Sequence, residues 1–320
     1  MAHDTPEQFL SQLVKPNWQT TVVYQAETSD EEVKIEAQVK ALMLEADGEC
    51  NMVPIWGSTL HHIDDLPYDP NEYFPHTYGY MRKKQDHIKV RELLPDPAKG
   101  SMPFIDLAKA SPEEKKAAEF MPDLETDLGF SEEEVKTSSV QDPRICYKFK
   151  GGEEAGLKRI DEYIFSKRAV SKYATTRNEL LGANYSSKLS PWLANGSISA
   201  RKVYWETKRF EKEQTKNEST TIFLDELFWR DFNKYWCLNH GNKVFSSYGI
   251  YDRQYYNWQT NLETVDRWRQ GNSGMPLIDA LMRDLNETGF MPNRGRMVVS
   301  CYFAMDLKQD WRHGAHWFEQ

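Results

Sequence analysis

Cysteine is scarce in this sequence, and long apolar runs are missing from it. The four cysteines lie far apart and form no C-x-x-C pair, so the sequence predicts neither a zinc site nor a disulfide framework. No apolar run approaches the length that spans a bilayer, and 28% of the residues are charged. The opening residues, MAHDTPEQFLSQLVKPNWQT, lack the basic-then-apolar pattern of a secretory signal. We therefore expect an intracellular protein in a reducing compartment, without membrane attachment. Nucleus, plastid and mitochondrion stay open.

Aromatic residues, by contrast, are abundant: they make up 13% of the 320 residues and include 10 Trp. A chain of this length can bury a large core and is expected to hold two domains. Residues 146–320 contain 26 Lys and Arg against 21 Asp and Glu, whereas residues 1–145 contain 14 against 28. A polyanion is therefore expected to bind the second half, although an ordinary solvated surface explains the same distribution.

The first part of the chain alternates strand and helix patterns. Residues 21–24 favour a strand, and Ser29 followed by Glu32 predicts the start of a helix. The run MVPIWGSTLHHIDDLP predicts another buried strand and then a loop. Its HHIDD segment imitates a metal-ligand cluster, but we interpret it as polar loop residues and predict no metal site. Residues 96–145 predict a connector of turns and short charged helices.

Three stretches after residue 146 combine helical periodicity with polar side chains. The first, YSSKLSPWLANG, places the hydroxyls of Ser186, Ser187 and Ser190 beside Lys188. Ser190 is expected to cap a helix that Pro191 opens. A helix N-terminus with free N–H groups and neighbouring hydroxyls binds anions, while Ser-rich turns before helices are also common without any ligand.

The second stretch, STTIFLDELFWRDFNKYWCLNHG, predicts a helix that begins at Ser219 and ends at Gly241. Glu226, Trp229 and Arg230 share one face of it, opposite an apolar side. A carboxylate, an indole and a guanidinium together are unusual on a solvated surface. Alternatively, Trp229 belongs to the core and Glu226 forms a routine i,i+4 ion pair with Arg230.

The third stretch, from Trp268 onwards, predicts two helices joined by a short turn. Pro276 suits the first turn of one helix, and Gly289 supplies the left-handed residue that ends it. Asn293 is expected to cap the second helix, where it shares a face with Arg296. The apolar stripe of the first helix consists of Ile278, Leu281, Met282 and Leu285.

These stretches also carry a family resemblance. TGFMPNRGRM and DLKQDWRHGAHWFEQ, together with YSSKLSPWLANG and IWGSTLHHIDDLPYDP, resemble the photolyase/cryptochrome family, and within it the cryptochrome DASH branch. The resemblance covers most of the chain and is weakest between residues 101 and 141. It implies an α/β N-terminal remnant of a Rossmann-like antenna domain (1–95), an interdomain connector (96–145) and a mostly α-helical FAD-binding domain (146–320). Because the family's first strands and its C-terminal part have no counterpart here, we expect the chain to be truncated at both ends and to hold FAD poorly.

The resemblance implies a cofactor site for FAD. Arg230 matches an arginine of the flavin pocket. Asn293 would lie by the reactive edge of the isoalloxazine, and Arg296 would place positive charge where a reduced, anionic flavin needs it. Asn195 and Pro292 depart from the residues expected at their positions. The residues implied to surround the diphosphate are Tyr173, Ser186, Ser187, Lys188, Leu189 and Ser190.

The same resemblance implies a lesion site and an electron relay. Glu226 and Trp229 match residues that contact a pyrimidine dimer. Met297 would touch the lesion at a position where DASH proteins usually have Gln. Trp258 and Trp311 match the terminal and middle tryptophans of the relay, although packing in the core explains most tryptophans equally well.

An antenna site is also implied, in the first part of the chain. Glu31 or Glu32 matches the carboxylate that binds a folate antenna, methenyltetrahydrofolate. An acidic first helical turn is favourable by itself, however, because it complements the helix dipole.

The implied activity is that of a deoxyribodipyrimidine photo-lyase: light-driven electron transfer from reduced FAD to cyclobutane pyrimidine dimers. Single-stranded DNA is the preferred partner, because extruding a base costs less there; RNA is a second possible polyanion, and a monomer is expected. Two alternatives stay open. One is a blue-light photoreceptor without repair activity, and the other is a non-catalytic nucleic-acid-binding fragment.

Overall fold

The computed structural model describes residues 10, 19–45, 49–98, 100–101, 129–139, 142–254 and 256–319. Most of the predicted connector, residues 102–128, lies outside the described residues. In chain order the strands and helices are β1 (Gln19–Gln25), α1 (Asp30–Glu45), β2 (Glu49–Ile55), α2 (Tyr78–Gln85), α3 (Glu132–Ser139), α4 (Glu153–Asp161), α5 (Tyr173–Thr176), α6 (Ser190–Ala194), α7 (Ala200–Glu213), α8 (Glu218–His240), α9 (Leu262–Arg269), α10 (Pro276–Thr288), α11 (Asn293–Cys301) and α12 (Trp311–Glu319).

The chain divides into two compact units, an α/β unit and a helical unit. The segment Trp56–Arg91 belongs to the helical unit, whereas the sequence grouped it with the first 95 residues. The contacts explain this: Asp231 of α8 accepts hydrogen bonds from the backbone N–H groups of Leu60 (2.8 Å) and His61 (3.0 Å). The α/β unit comprises Met1–Glu27, Glu31–Ile55 and Glu92–Gln141, and the helical unit comprises Thr28–Asp30, Trp56–Arg91 and Asp142–Gln320.

The α/β unit contains the two strands that the sequence predicts. β1 and β2 pair in parallel, with Val22 opposite Met52, and α1 provides the crossover between them. Val39 and Met43 of α1 are buried against the strand residues. This βαβ arrangement confirms the predicted α/β segment, which precedes the mainly helical part of the chain in the sequence.

The larger core of the helical unit is organised around α8. Phe228 and Tyr235 are buried on its apolar side, as the helical spacing predicts. The helix begins at Glu218, one residue before the predicted Ser219, and Asn217 caps it. The Asn217 side chain accepts from the Thr220 backbone N–H at 3.1 Å, while the Asn217 N–H donates to the Thr220 hydroxyl. The Ser219 hydroxyl instead accepts from the Ala174 N–H at 3.1 Å and ties α5 to α8.

A second core surrounds Trp268 of α9, whose ring is fully buried and lies 4.4 Å from that of Phe303. The predicted stripe of α10 packs into this core, and Gly289 ends the helix with φ 67°. The predicted cap of α11 is wrong. Asn293 is the first helical residue, Pro292 occupies the cap position, and no side-chain capping bond forms there.

Candidate functional site

A cavity of about 360 Å³ lies between α6 and α8 in the helical unit. Its volume falls within the range of small-molecule sites, about 300–1,000 Å³. A larger surface pocket, about 590 Å³, contains none of the predicted site residues. The residues that line the smaller cavity are Tyr173, Ser187, Leu189, Ser190, Leu193, Ala194, Val203, Phe223, Glu226, Leu227 and Arg230. Two stretches singled out in the sequence therefore meet in one cavity.

The segment that leads into α6, residues 183–190 (the serine loop), is held by a buried arginine that no sequence pattern indicated. Arg159 of α4 is fully buried, and its guanidinium donates to the carbonyl oxygens of Ser187 (2.9 Å) and Ala183 (2.8 Å) and to the Asn184 side chain (3.1 Å). Glu162 provides its counter-charge at 3.1 Å. A charged residue in an amphipathic helix normally indicates a solvated face, so the helical spacing contained no signal for this role.

Ser190 is the first residue of α6 rather than its cap. Leu189 occupies the cap position and makes no side-chain capping bond, which corrects the prediction for Ser190. Because Ser190 caps no backbone group, its side chain can face the cavity that it lines.

Lys188 does not line the cavity. Its backbone is left-handed, with φ 55°, and its ammonium lies 3.4 Å from the centroid of the Tyr185 ring and 4.9 Å from that of Phe290. Only 4% of the residue is exposed, and the ammonium has no hydrogen-bond partner among the described residues. Burial lowers the pKa of this ammonium to about 8. The Lys188 ammonium therefore packs against the rings of Tyr185 and Phe290. Ser187 and Ser190 line the cavity, whereas Ser186 does not.

Glu226 supplies the carboxylate of the cavity. It does not pair with Arg230; Arg177 binds it instead, at 2.7 Å. Burial raises the pKa of Glu226 above its ordinary value, although the Arg177 charge opposes the shift. The Arg177 guanidinium also lies 5.5 Å from the centroid of the Tyr173 ring, and burial raises the pKa of Tyr173 to about 12.

Arg230 joins three parts of the helical unit. Its guanidinium donates to the carbonyl oxygen of Leu193 in α6 at 3.0 Å and to that of Ser58. The neighbouring Asp231 accepts hydrogen bonds from the backbone N–H groups of two further residues of the same loop, Leu60 and His61. Arg230 and Asp231 therefore fix the cavity wall to the segment that precedes α2.

Trp229 is neither a core residue nor an isolated surface residue. It is 43% exposed, and its ring stacks on that of Tyr78. Tyr78 donates its hydroxyl to the Asp225 carbonyl oxygen at 3.2 Å. No sequence pattern indicated Tyr78 as a partner of Trp229, because the two residues are far apart along the chain and share no periodicity.

The predicted residues of α11 do not line the cavity. Asn293 and Met297 are exposed, with the Asn293 amide nitrogen 3.9 Å from the Met297 sulfur. Arg296 donates to the Met291 carbonyl oxygen at 2.6 Å. The helix reaches the segment after α5 through Arg294, which donates to the Asn178 side chain at 2.7 Å.

The two predicted relay tryptophans lie on adjacent segments. The Trp258 indole N–H donates to the Ser247 carbonyl oxygen at 2.6 Å, and Trp311 begins α12. Gln259 and Asp310, the residues next to them, are joined by a backbone hydrogen bond of 2.9 Å.

The remaining predicted residues are the two glutamates of the α/β unit and the residues of the metal-like HHIDD segment. Glu31 and Glu32 are exposed in the first turn of α1. His61 of the metal-like segment is buried, with its Nδ1 atom 3.4 Å from the Gln85 side-chain oxygen. Among the described residues no group of His, Cys, Asp and Glu is arranged to hold a metal ion, and no described helix has the length and apolar character needed to cross a bilayer.

Comparison with known proteins agrees with this architecture. Residues 223–320 match the FAD binding domain of DNA photolyase. The chain is 37% identical to the chloroplastic/mitochondrial cryptochrome DASH of Ostreococcus tauri over 96% of this chain and 57% of that protein. It is also 37% identical to cryptochrome DASH of Synechocystis sp., over 98% of this chain and 60% of that protein. The chain thus spans about three fifths of the length of these relatives.

Solved structures show the same likeness. The Synechocystis cryptochrome crystal structure superposes with a TM-score of 0.80 at 36% identity, covering 99% of this chain and 61% of that one. An archaeal photolyase from Sulfolobus tokodaii shares the fold, with a TM-score of 0.64 at 23% identity. The helical unit, which follows a two-stranded parallel sheet in the sequence, has the fold of photolyase-type flavoproteins. The chain is similar to members of the photolyase/cryptochrome family, and the curated relatives named above are cryptochromes DASH.

Proposed function

We propose that this chain is a DASH-like flavoprotein whose cavity between α6 and α8 receives part of FAD. The observation that supports this most is the convergence of Ser187, Ser190, Glu226 and Arg230 on one cavity. These residues come from two separate stretches of the sequence, and both stretches resemble cofactor or substrate segments of the family. The match to an FAD-binding domain agrees with the same assignment.

The serine loop is suited to an anionic group. The hydroxyls of Ser187 and Ser190 donate hydrogen bonds to phosphate oxygens, and Arg159 holds the loop in place by binding its carbonyl oxygens. The buried ammonium of Lys188 adds positive charge behind the loop without lining the cavity. A charge in such a poorly solvated position is weakly screened and favours an anion nearby. The loop therefore fits a diphosphate.

Glu226 and Trp229 form the part of the site proposed to bind a lesion. Arg177 fixes the Glu226 carboxylate, which accepts hydrogen bonds from the N–H groups of a base edge. The Trp229 indole offers a flat apolar surface, and the Tyr78 ring stacks on one face of it. A base that has left its stack needs such a wall and a hydrogen-bonding group.

The proposed photochemistry divides the work between the cofactor and the chain. When bound and reduced, FAD would supply absorption of blue light and the electron that opens the cyclobutane ring of a pyrimidine dimer, and it would take that electron back once the two pyrimidines have separated. Asn293 would bind at the ring edge, Arg296 would stabilise negative charge there, and Met297 would touch the lesion. Trp258 and Trp311 would conduct electrons from the surface.

Uptake of the cofactor tests the cavity assignment. Ser190→Asp places negative charge in the cavity, so it should weaken binding of FAD in a titration that follows the quenching of flavin fluorescence. Thr215→Asp adds the same charge at an exposed loop position before α8 and should leave uptake unchanged. Equal affinities for the two variants would exclude the serine loop from the FAD site.

Illumination then tests the reaction. The chain loaded with reduced FAD should restore dimer-containing single-stranded DNA more rapidly than duplex DNA or an RNA counterpart. Flavin photoreduction without restoration of the bases would instead identify a photoreceptor. Binding of single strands without any flavin uptake would identify a nucleic-acid-binding module.

A folate antenna is proposed at α1. Glu31 and Glu32 are exposed there and can accept hydrogen bonds from a pterin. Titration with methenyltetrahydrofolate should show saturable binding that Glu31→Gln or Glu32→Gln weakens. Binding that neither substitution alters would exclude this position.

A further inference from the structure

A surface pocket of about 420 Å³ lies beside the turn that follows α11 and shares no lining residue with the α6–α8 cavity. One wall comes from the segment before α9 and contains Tyr256, Asn257, Trp258 and Gln259. The other wall follows α11 and contains Ala304, Met305 and Lys308. The proposed flavin chemistry uses Trp258 for electron transfer but gives the pocket itself no role.

Backbone hydrogen bonds fix the two walls to each other. The Gln259 N–H donates to the Lys308 carbonyl oxygen at 2.8 Å, and the Asp310 N–H donates to the Gln259 carbonyl oxygen at 2.9 Å. The Trp258 indole is held by its own hydrogen bond to Ser247. A pocket with walls fixed in this way loses little conformational entropy when a ligand binds.

The lining combines an aromatic platform with free polar groups. The rings of Tyr256 and Trp258 are stacked, with centroids 5.2 Å apart and an interplanar angle of 13°, and Tyr256 is 40% exposed. Asn257, Gln259 and Lys308 are exposed. In the part of the chain that the structure describes, none of these three side chains has a hydrogen-bond or ion-pair partner.

We propose that this pocket binds a nucleotide, either free or as part of a single strand. A base stacks on aromatic rings whatever its sequence, and side-chain amides form hydrogen bonds with base edges. The Lys308 ammonium supplies the charge that a phosphate needs. A purely apolar ligand would leave the amides and the ammonium unused, and a bare anion would leave the aromatic platform unused. A base with an attached phosphate matches all three features.

Calorimetric titration of the full chain tests this. Adenosine monophosphate should bind saturably, adenosine more weakly, and inorganic phosphate not measurably. Tyr256→Ala should weaken binding of the monophosphate roughly fivefold to 150-fold, the usual effect of removing one stacking ring. Lys308→Asn removes the charge with a residue that tolerates the left-handed backbone found there, φ 52°. It should weaken binding of the monophosphate and leave that of adenosine unchanged.

A matched control and a second ligand make the outcome decisive. Tyr80→Ala removes another exposed tyrosine, which lies outside the pocket, and should change nothing. A single-stranded oligoadenylate that binds more tightly than the monophosphate would identify the strand as the source, and the reverse order would identify the free nucleotide. Absence of saturable binding, or equal affinity for wild type and Tyr256→Ala, would overturn the proposal.

The test is separate from that of the flavin cavity. Ser190→Asp should bind adenosine monophosphate like the wild type, and Tyr256→Ala should take up FAD like the wild type. If Ser190→Asp loses the nucleotide while Tyr256→Ala retains it, the nucleotide binds the α6–α8 cavity and the surface pocket is not its site.

Discussion

The indole of Trp229 lies flat on the phenol ring of Tyr78, with centroids 3.8 Å apart and planes within 8° of each other. Trp229 belongs to α8 and Tyr78 to α2, so the pair joins two elements that are distant in the sequence. Because one face of the indole is covered and the side chain is still 43% exposed, its orientation is set before any ligand arrives. Such pre-organisation lowers the entropy lost on binding.

Trp229→Ala should weaken the binding of a dimer-containing single-stranded oligonucleotide by about 1–3 kcal/mol, because it removes one stacking surface. Fluorescence anisotropy of a labelled oligonucleotide measures the effect. Phe245→Ala removes another exposed aromatic ring and serves as the control. Unchanged affinity for Trp229→Ala would remove this residue from the site.

Arg159→Met should lower the free energy of unfolding by about 3–5 kcal/mol, the usual result of breaking a buried, hydrogen-bonded charge pair. The substitution leaves the carbonyl oxygens of Ala183 and Ser187 without their donor and Glu162 without its partner. Urea unfolding followed by circular dichroism measures the loss. Arg144→Met is the control. It removes a solvent-exposed arginine whose ion pairs with Asp142 and Glu287 lie at the surface, so it should lower stability by less than about 1 kcal/mol. An equally small effect at Arg159 would contradict its role in holding the loop.

Asp231 should make the stability of the helical unit depend on pH. Burial raises the pKa of this carboxyl from its usual 3.8 to about 7, although two backbone N–H groups oppose the shift. The native state therefore retains the proton over a range in which the unfolded state has lost it. The free energy of unfolding contributed by this group should fall as the pH rises from about 4 to about 7.

The difference between wild type and Asp231→Asn isolates this contribution, because Asn does not titrate and the other ionisable groups are common to both proteins. Urea unfolding at several pH values should show the advantage of the wild type shrinking as the pH rises. A difference that stays constant across this range would contradict the raised pKa.

Two helix glycines should respond in opposite directions to substitution by Ala. A Cβ atom at Gly156 in α4 would lie 2.7 Å from the Ile198 Cγ2 atom and 3.0 Å from the Trp192 ring, so Gly156→Ala should cost about 1–3 kcal/mol through overpacking. Gly79 in α2 has no neighbour within 4 Å. Gly79→Ala should therefore gain up to about 1 kcal/mol from helix propensity.

Thermal unfolding of both variants measures the contrast. Because Trp192 belongs to α6, Gly156→Ala should also weaken FAD uptake, whereas Gly79→Ala should not. Destabilisation of similar size in both proteins would show that close packing does not explain the glycine at position 156.

Local patterns predicted the elements whose formation depends on neighbouring residues. The stripe of α10, the left-handed end at Gly289 and the two strands follow from local patterns, and the structure confirms them. The parallel pairing of the strands is seen only in the structure. The caps were less predictable. Ser190 and Asn293 were each expected to cap a helix, but Leu189 and Pro292 occupy those cap positions. Ser219 was expected to begin α8, which instead begins at Glu218 after its cap Asn217. Several nearby residues can start a helix, and tertiary packing decides which of them does.

The sequence by itself determined the helical periodicity, the strand pair and the ordered residue runs that resemble the photolyase/cryptochrome family. Only the tertiary structure decided which polar groups meet. In the folded chain Arg159 is buried beneath the serine loop, and the Lys188 ammonium packs against the Tyr185 ring. Glu226 pairs with Arg177, and Trp229 stacks on Tyr78. The physical reason is that a side chain's spacing fixes only the helix face on which it lies, whereas its partner is set by whichever distant segment the core brings against that face.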